Sequence, residues 1–360
     1  MSKPMQTNKW LVVLSITIIS AITAIYMGVK EQFHLDETRP VAPLQKELSS
    51  WVVDWQWKSG LEDFRRMSSG LGSLQLFAVY FDEADVLYMT EDMKKAFPSM
   101  LQAAQDASIS KVYLTLVNDR YLQDGTEVQK DPDLLTRLLG SEAARSKHIG
   151  EILSLMSQYH IQGVEIDYEK VKDSDWSKVT AFYKELYEAL HQQGKSLRIV
   201  LESRAPIEQL DLPTGPEYVM MAYNLYGTHS DPGPKADYTF LDKLARRMNH
   251  LPGDNVIAIS AGGFDWSGQG KVTAVTEKRA VELALQAVAS PERDTASGSL
   301  HFEYVDDKGE KHTVWYADDS TLIGWLDTLR RDGYGKAAIW RLGELSENSL
   351  AKLKSWHEDH

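Results

Sequence analysis

Three carboxylates stand at every second position of residues 161–171, which read IQGVEIDYEKV. They are Glu165, Asp167 and Glu169. On a β-strand, side chains two residues apart point to the same face, about 6.6–7 Å from one another. Like charges on one face raise each other's pKa and cost stability, so packing alone gives no reason for the pattern. It indicates chemistry by carboxylates, either acid–base catalysis or the binding of Mg²⁺ or Ca²⁺.

The metal site is the weaker of these two interpretations, and a third interpretation, a strand without chemistry, is weak as well. A solvated edge strand is disfavoured because the flanking Ile161, Val164 and Ile166 favour burial. A metal site is disfavoured because no histidine or further carboxylate falls at an obvious ligand spacing. We therefore expect neither a metal nor a cofactor.

Composition limits the classes of ligand. A hydrophobic fraction of 43% with ten tryptophans is ample for a core. The formal net charge of −13 argues against nucleic acid and disfavours a strongly anionic polymer, whereas a neutral ligand is easier to accommodate. The absence of cysteine excludes disulfides, thiolate nucleophiles and cysteine-based zinc sites.

The N-terminal region predicts export. Residues 10–29 are uncharged and follow Lys3 and Lys9, and twenty such residues can span a bilayer. The run is longer than a usual signal-peptide core, so residues 1–29 are interpreted as a cytoplasmic stub and a single transmembrane anchor. Residues 30–47 are polar and form the predicted tether, and residues 48–360 form the extracytoplasmic domain. A cleaved signal peptide, which would give a secreted protein, is the alternative.

Eight short apolar runs alternate with helical patterns. Helices are predicted over 141–159 and over 174–193, where Ser174 or Asp175 caps the start and Gly194 ends the helix. Runs that are apolar throughout are typical of strands buried on both faces. The order predicts an α/β fold, a (β/α)₈ TIM barrel; a doubly wound open sheet is the alternative. The predicted strands are residues 51–55, 74–81, 111–118, 163–169, 197–203, 218–224, 256–263 and 336–343.

The segment between the seventh and eighth strands is too long for a simple connection. It contains a helical pattern over 276–288 and two strand-like runs around DDKGEK, which is a hairpin signal. We interpret residues 264–317, approximately, as a small α+β insertion between strand seven and helix seven. Helix seven is then predicted over 319–332.

In such barrels the active site lies at the C-terminal ends of the strands. The predicted strands end in carboxylates, amides and aromatic rings, a mixture that suits sugars because indole faces stack on pyranose rings while amides and acids bond hydroxyls. Arg204 is either a ligand contact or a salt-bridge partner of Glu202. The candidate substrate-binding residues are Tyr80, Asn118, Arg204, Asn224, Tyr226, Asp265, Trp266 and Trp340.

Four stretches resemble glycoside hydrolase family 18. Residues 163–169, GVEIDYE, resemble the family's strand-four signature D-G-x-D-x-D-x-E, and residues 221–224, MAYN, resemble its M-x-Y-D. Residues 260–268, SAGGFDWSG, and 338–343, AIWRLG, resemble its seventh-strand loop and its closing tryptophan strand. The four occur in the family's order over residues 50–345, approximately, and the bacterial cell-wall and spore-associated branch is the most similar.

The resemblance implies substrate-assisted, retaining cleavage of β-1,4 bonds next to N-acetylglucosamine, in peptidoglycan or chitin-type glycans. Glu169 would be the general acid and then the base, and Asp167 would orient the acetamide and stabilise the oxazolinium ion. Glu165 would share a proton with Asp167. Tyr223 would hydrogen-bond the acetamide oxygen, and Trp340 would form the floor beneath the sugar.

The sequence departs from the family pattern at three positions. Glu165 and Asn224 stand where aspartates are usual, and Gln162 replaces the first aspartate of the signature. Asn224 keeps a hydrogen bond without a charge. These departures leave a catalytically weak or inactive glycan-binding protein of the same fold as the alternative function. A metal-dependent hydrolase on a barrel is a third.

Overall fold

Eight parallel strands close into a barrel in the computed structural model, which describes residues 46–287 and 289–356. Each strand pairs with its neighbours in chain order, β8 pairs with β1, and the β2–β3 pairing completes the ring. The prediction of a (β/α)₈ barrel is therefore confirmed, and the open-sheet alternative is wrong. The barrel strands are β1 Glu47–Val53, β2 Ser73–Phe81, β3 Lys111–Tyr121, β4 Gly163–Asp167, β5 Ser196–Leu201, β6 Glu217–Met221, β7 Val256–Ser260 and β8 Lys336–Trp340.

Helices follow most of the strands. Between β5 and β6 the chain has only a 3₁₀ turn, Ile207–Gln209. The helices of the described residues are α1 Trp57–Met67, α2 Glu91–Asp106, α3 Pro132–Leu139, α4 Glu142–Gln158, α5 Trp176–His191, α6 Tyr238–Met248, α7 Glu277–Ala284, α8 Asp319–Arg331 and α9 Glu347–Trp356.

Helix α5 shows why these residues fold as they do. Val179, Phe182, Leu186 and Leu190 recur at helical spacing, and all four are fully buried against the barrel. Asp175 stands at the N-cap position, but its side chain makes no capping hydrogen bond and binds Lys178 Nζ instead (2.9 Å).

Alternate residues of the strands form two separate apolar layers. One set packs outward under the helices, and the other fills the barrel interior. The interior set includes Trp51 and Val53 of β1 and Val219 and Met221 of β6. This interior layer reaches the C-terminal ends of the strands, so its side chains pack beneath the residues at the barrel mouth.

The long segment between β7 and β8 forms a five-stranded antiparallel sheet, with α7 packed beside it. The sheet order is Val272–Val275, Gly262–Ser267, Lys311–Ala317, Leu300–Val305 and Glu292–Arg293. Phe302, Val314 and Tyr316 belong to its own small core. The hairpin predicted around DDKGEK joins two of these strands, and α8 occupies the place predicted for helix seven.

The predicted membrane anchor, residues 10–29, lies outside the described residues. Within the described part of the chain, no helix combines the length and the apolar character that crossing a bilayer requires. The tether predicted over 30–47 also lies mostly outside that part, and its last residue, Glu47, is the first residue of β1.

Candidate active site

A cavity of about 380 Å³ opens at the C-terminal ends of the barrel strands. Six of the predicted site residues line it, and six do not. Those in the lining are Tyr80, Asp167, Glu169, Tyr223, Asn224 and Trp340. They share the lining with Trp55, Phe77, Val117, Asp119, Tyr121, Glu127, Gln129, Lys130 and Met221.

Asp167, the last residue of β4, is almost fully buried, with 9% of its surface exposed. Its Oδ1 atom is inaccessible to solvent and accepts no hydrogen bond. Burial raises the pKa of Asp167 well above its usual range, and the nearby charge of Glu169 raises it further, while Lys130 opposes the shift. A buried carboxyl oxygen without a hydrogen-bond partner is uncommon in folded proteins, and it points to a functional role for Asp167.

Glu169 lies two residues beyond the end of β4, and Asn118 of β3 holds its backbone. Asn118 Oδ1 accepts from the Glu169 backbone N–H (2.9 Å), and Asn118 Nδ2 donates to the Glu169 carbonyl oxygen (3.0 Å). Asn118 is itself buried and does not line the cavity, so it positions Glu169 and does not contact a ligand in the cavity, which corrects its predicted binding role.

The Glu169 side chain forms an ion pair with Lys130. Burial raises the pKa of Glu169, and the positive charge of Lys130 opposes that shift, while Glu202 and Asp119 add to it. The backbone N–H of Lys130 donates to Asp119 Oδ1 (2.7 Å), and its φ of 54° lies in the left-handed region. A side-chain-to-backbone hydrogen bond therefore holds the turn that brings the lysine to the acid.

Glu165 lies below the cavity and is fully buried. Its Oε1 accepts hydrogen bonds from Trp51 Nε1 (2.6 Å) and Thr115 Oγ1 (2.8 Å), and its Oε2 accepts from Arg198 Nε (2.9 Å). These donors occupy both oxygens, and no hydrogen bond joins Glu165 to Asp167. The structure thus corrects the predicted proton sharing: Glu165 is paired with a buried arginine, although its charge still raises the pKa of Asp167.

Trp340, at the end of β8, forms one wall of the cavity. Its ring packs edge-on against Trp51 (centroids 5.6 Å apart) and Phe77 (4.9 Å). These contacts fix the indole plane, since edge-to-face pairs have a preferred geometry. Trp55 stands at the rim with 54% of its surface exposed.

Tyr223 lies two residues beyond the end of β6 and is buried in the cavity wall. Burial raises the pKa of its hydroxyl well above the usual range, with the charges of Asp167 and Glu169 adding to the shift. The hydroxyl therefore remains a donor at any physiological pH. The next residue, Asn224, is exposed and has a φ of 59°.

The Tyr80 hydroxyl donates its hydrogen bond to Asp54 Oδ1 (2.9 Å) and so does not donate to a ligand. The remaining predicted binding residues lie outside the cavity lining. Trp266 is buried and donates to the Ser230 carbonyl oxygen (3.1 Å). Asp265 accepts from Tyr304 within the insertion (2.8 Å).

Tyr226 and Arg204 are exposed and also lie outside the lining. Glu202 accepts from the Lys170 backbone N–H (2.7 Å), and no ion pair joins it to Arg204.

Among the described residues, Lys130 and Arg198 form ion pairs with two of the predicted site carboxylates, and sequence reasoning missed both. Arg198 had a signal: it interrupts the apolar run of β5, and a charge in a strand buried on both faces requires a partner. It pairs in register with Glu165 on β4. Lys130 had none, because it stands in a polar connection without periodicity.

The cavity suits acid–base chemistry on a neutral ligand. It combines two carboxyls of raised pKa, a phenolic donor and a fixed indole wall. In the described part of the chain, the three carboxylates of residues 165–169 do not form a group with the spacing of metal ligands. The cluster that has such spacing, Asp306, Glu310 and His312, belongs to the insertion and does not line the cavity.

Comparison with known proteins identifies the family. Residues 125–344 match the family described as glycosyl hydrolases family 18. The uncharacterized glycosylase YvbX of Bacillus subtilis (strain 168) is 24% identical over 233 residues, which cover 61% of this chain and 68% of that protein. The chain spans about half the length of the other curated relatives that it matches.

Solved structures share the fold. The spore cortex-lytic enzyme SleL of Bacillus cereus aligns with a TM-score of 0.71 at 19% identity, over 87% of this chain and 74% of that chain. A class V chitinase of Nicotiana tobaccum in complex with NAG4 aligns with a TM-score of 0.70 at 14% identity, over 88% and 99%. The family match covers more than half of the 360 residues, and the chain therefore belongs to glycosyl hydrolases family 18.

Proposed function

We propose that this protein is an extracytoplasmic glycoside hydrolase that cleaves β-1,4 bonds next to N-acetylglucosamine by substrate-assisted, retaining catalysis. One observation carries the proposal. Four of the five residues to which the family resemblance gives roles, Glu169, Asp167, Tyr223 and Trp340, line a single cavity at the barrel mouth, and the fifth, Glu165, lies below it.

The reaction has two steps. In the first, the acetamide oxygen of the sugar attacks its own anomeric carbon, Glu169 gives its proton to the glycosidic oxygen, and the bond to the leaving sugar breaks. In the second, the Glu169 carboxylate takes a proton from water, and the water oxygen attacks the anomeric carbon and opens the oxazolinium ring. Two inversions at one carbon retain its configuration. Burial supports the first step, because it raises the pKa of Glu169.

Asp167 and Tyr223 hold the acetamide arm in this proposal. In its ionised form, the Asp167 carboxylate accepts from the acetamide N–H, and its negative charge stabilises the oxazolinium ion as that ion forms. The Tyr223 hydroxyl has no hydrogen-bond partner among the described residues and donates to the acetamide oxygen. Trp340 stacks beneath the sugar ring.

The substrate class follows from charge and from relatives. The net charge of −13 favours a largely neutral glycan. One structural relative is a chitinase in complex with NAG4, and another is a spore cortex-lytic enzyme, which supports chitin-type glycans or peptidoglycan. The uncharged residues 10–29 behind two lysines support an anchor that holds the barrel outside the cytoplasm, where such glycans occur.

The test is the Glu169→Gln variant of the full chain, assayed on an aryl N-acetyl-chitooligosaccharide. We expect turnover to fall by about 10²–10⁴-fold because the proton donor is lost while the shape is kept. Glu282→Gln, the same change at an exposed position of α7, is the matched control. A thiazoline analogue of the intermediate should inhibit the wild-type protein. Wild-type turnover by the Glu169 variant would refute the assignment.

A second candidate is a glycan-binding protein with weak or no turnover. The Lys130–Glu169 ion pair favours it, because a lysine beside the acid stabilises the ionised carboxylate, which cannot donate a proton. The test is to measure binding of chitooligosaccharides or peptidoglycan fragments and to look for new reducing ends by mass spectrometry. Saturable binding without any new reducing end would favour this candidate over the hydrolase.

A further inference from the structure

A second cavity, of about 110 Å³, shares Trp340 with the candidate active-site cavity. It lies where the loop before α6, the start of the insertion and the loop after β8 meet. Lys235, Thr276, Glu277 and Arg341 give the polar part of its lining. Thr276 caps the start of α7, and Glu277 binds Ser346 and Ser349, so these two have structural roles. Lys235 and Arg341 have no role in the proposed reaction.

Lys235 enters this cavity without an acidic partner. Its Nζ donates to Ser260 Oγ (2.9 Å) and to the Ala261 carbonyl oxygen (3.0 Å), and it lies 5.0 Å from the centroid of the Phe264 ring. Among the described residues, no carboxylate oxygen lies within 4.0 Å of this nitrogen. Burial lowers the pKa of Lys235 to about 7, and the positive charge of Arg341 adds to the shift.

Arg341 also makes no ion pair at contact distance, although the negative charge of Glu344 favours its protonated form. Its Nη1 donates to Gln56 Oε1 (2.6 Å), and its guanidinium carbon lies 5.4 Å from the centroid of the Trp55 ring. No carboxylate of the described chain lies within 4.0 Å of its nitrogens. Burial lowers the pKa of Arg341 to about 10. Both cations are partly buried without a carboxylate in contact, which is costly, and an anion supplied from outside would offset that cost.

The acids near this cavity have partners of their own. The Glu277 carboxylate accepts from the Ser346 backbone N–H (3.0 Å) and from Ser349 Oγ (2.9 Å), and burial raises its pKa. Glu344 Oε2 accepts from Thr276 Oγ1 (2.8 Å). Neither acid therefore neutralises the two cations by direct contact.

We propose that this cavity is a subsite for a carboxylate carried by the glycan, on a sugar next to the N-acetylglucosamine unit that stacks on Trp340. Lysine has three donors and arginine five, so Lys235 and Arg341 both keep N–H groups for it. The inference rests on the proposed function and narrows the substrate to glycans with acidic sugars. Peptidoglycan strands that have lost their stem peptides are one example, because their muramic acid then bears a free lactyl carboxylate, which is an amide where the peptide is attached.

The overall negative charge of the chain is compatible with this subsite. A net charge of −13 repels a dense polyanion at long range, but salt screens that field beyond about 8–10 Å. A single carboxylate inside the cavity meets the two cations at contact distance, where charge-assisted hydrogen bonds are strong.

The test compares one oligosaccharide in two forms on the full-length protein. The acidic form carries its lactyl carboxyls, and the control form has them reduced to alcohols. The readout is the ratio of kcat/KM for the acidic form to kcat/KM for the reduced form. We expect Lys235→Met to lower this ratio about tenfold or more, as the loss of a hydrogen bond to a charged group predicts. Lys278→Met, which removes the same charge at an exposed position of α7, should leave the ratio unchanged.

Binding gives a second measurement that does not depend on turnover. Calorimetry on Glu169→Gln should show tighter binding of the acidic form, and the preference should disappear when Lys235→Met is added. If the wild type cleaves both forms and the ratio is the same in every variant, the subsite is refuted while the proposed function stands. If nothing is cleaved, the proposed function fails, and equal binding of the two forms would refute the subsite as well.

Discussion

Replacing Lys130 should move the pH dependence of this protein in a direction that the structure fixes. In the free protein the lysine pairs with Glu169 and holds the pKa of that carboxyl below the value that burial alone would give. Lys130→Met removes the charge, so the pKa of Glu169 rises. A general acid with a higher pKa keeps its proton to higher pH, and the alkaline limb of kcat/KM against pH therefore moves upward.

The size of the shift can be worked from the geometry. Two opposite unit charges about 4 Å apart interact by about 4 kcal/mol at an effective dielectric constant of about 20. At about 1.36 kcal/mol for each pKa unit, this gives a ceiling of about three units. The Lys130 side chain is 35% exposed, so solvent screens the interaction and we expect about one to two units. Asp167 responds to the same lysine, so the measured shift belongs to the pair of carboxyls.

The assay is kcat/KM on an aryl N-acetyl-chitooligosaccharide between pH 4 and pH 10, roughly, because this parameter reports ionisations of the free enzyme. Lys130→Arg keeps the charge and should keep the wild-type profile. Lys172→Met removes a lysine that pairs with Asp133 at the surface, and its profile should also match the wild type. If the alkaline limb does not move in Lys130→Met, the reasoning is refuted. It is also refuted if the limb moves as far in Lys172→Met as in Lys130→Met.

Three further predictions concern the supports of the site. Arg198→Met should lower the free energy of unfolding in urea by about 3–5 kcal/mol because it leaves the Glu165 carboxylate buried without its cation, and adding Glu165→Leu should recover part of the loss. Asn118→Ala should lower kcat by about 100-fold with little change in KM, because it frees the backbone of Glu169; an equal effect on both parameters would contradict a positioning role. Trp340→Ala should lower kcat/KM by about 10- to 100-fold, and Trp340→Phe should restore part of it if stacking is the cause.

The barrel was predictable because most of its strands contain a buried apolar run with its own turn signals, although polar or charged residues interrupt β1, β4 and β5. The positions at which the strands end were harder to predict. The predicted fourth and sixth strands run to residues 169 and 224, whereas β4 ends at Asp167 and β6 at Met221. Side-chain alternation continues past the point where the hydrogen-bonded ladder stops. Glu169 and Tyr223 lie in this short extension, where the backbone leaves the sheet and the side chains reach the cavity.

Contacts between distant segments were the harder part of the site. Glu165 stands where aspartate is usual in the family, and the resemblance predicts that it shares a proton with Asp167. The structure directs it to Arg198 on the neighbouring strand, at the same level of the ladder. The meeting of Lys130 with Glu169 joins positions 39 residues apart and depends on the path of an irregular loop. No local pattern specifies such a path, whereas strand register follows from pairing.

The residue that opposes the acid stands on a peripheral hairpin rather than on the barrel. Glu127–Val128 pairs with the end of β3, and the chain reaches Lys130 two residues later. The residue that lowers the pKa of Glu169 therefore belongs to a different segment of the chain from the strands that form the barrel. A substitution at Lys130 therefore changes the pKa of Glu169 without altering any residue of the barrel strands.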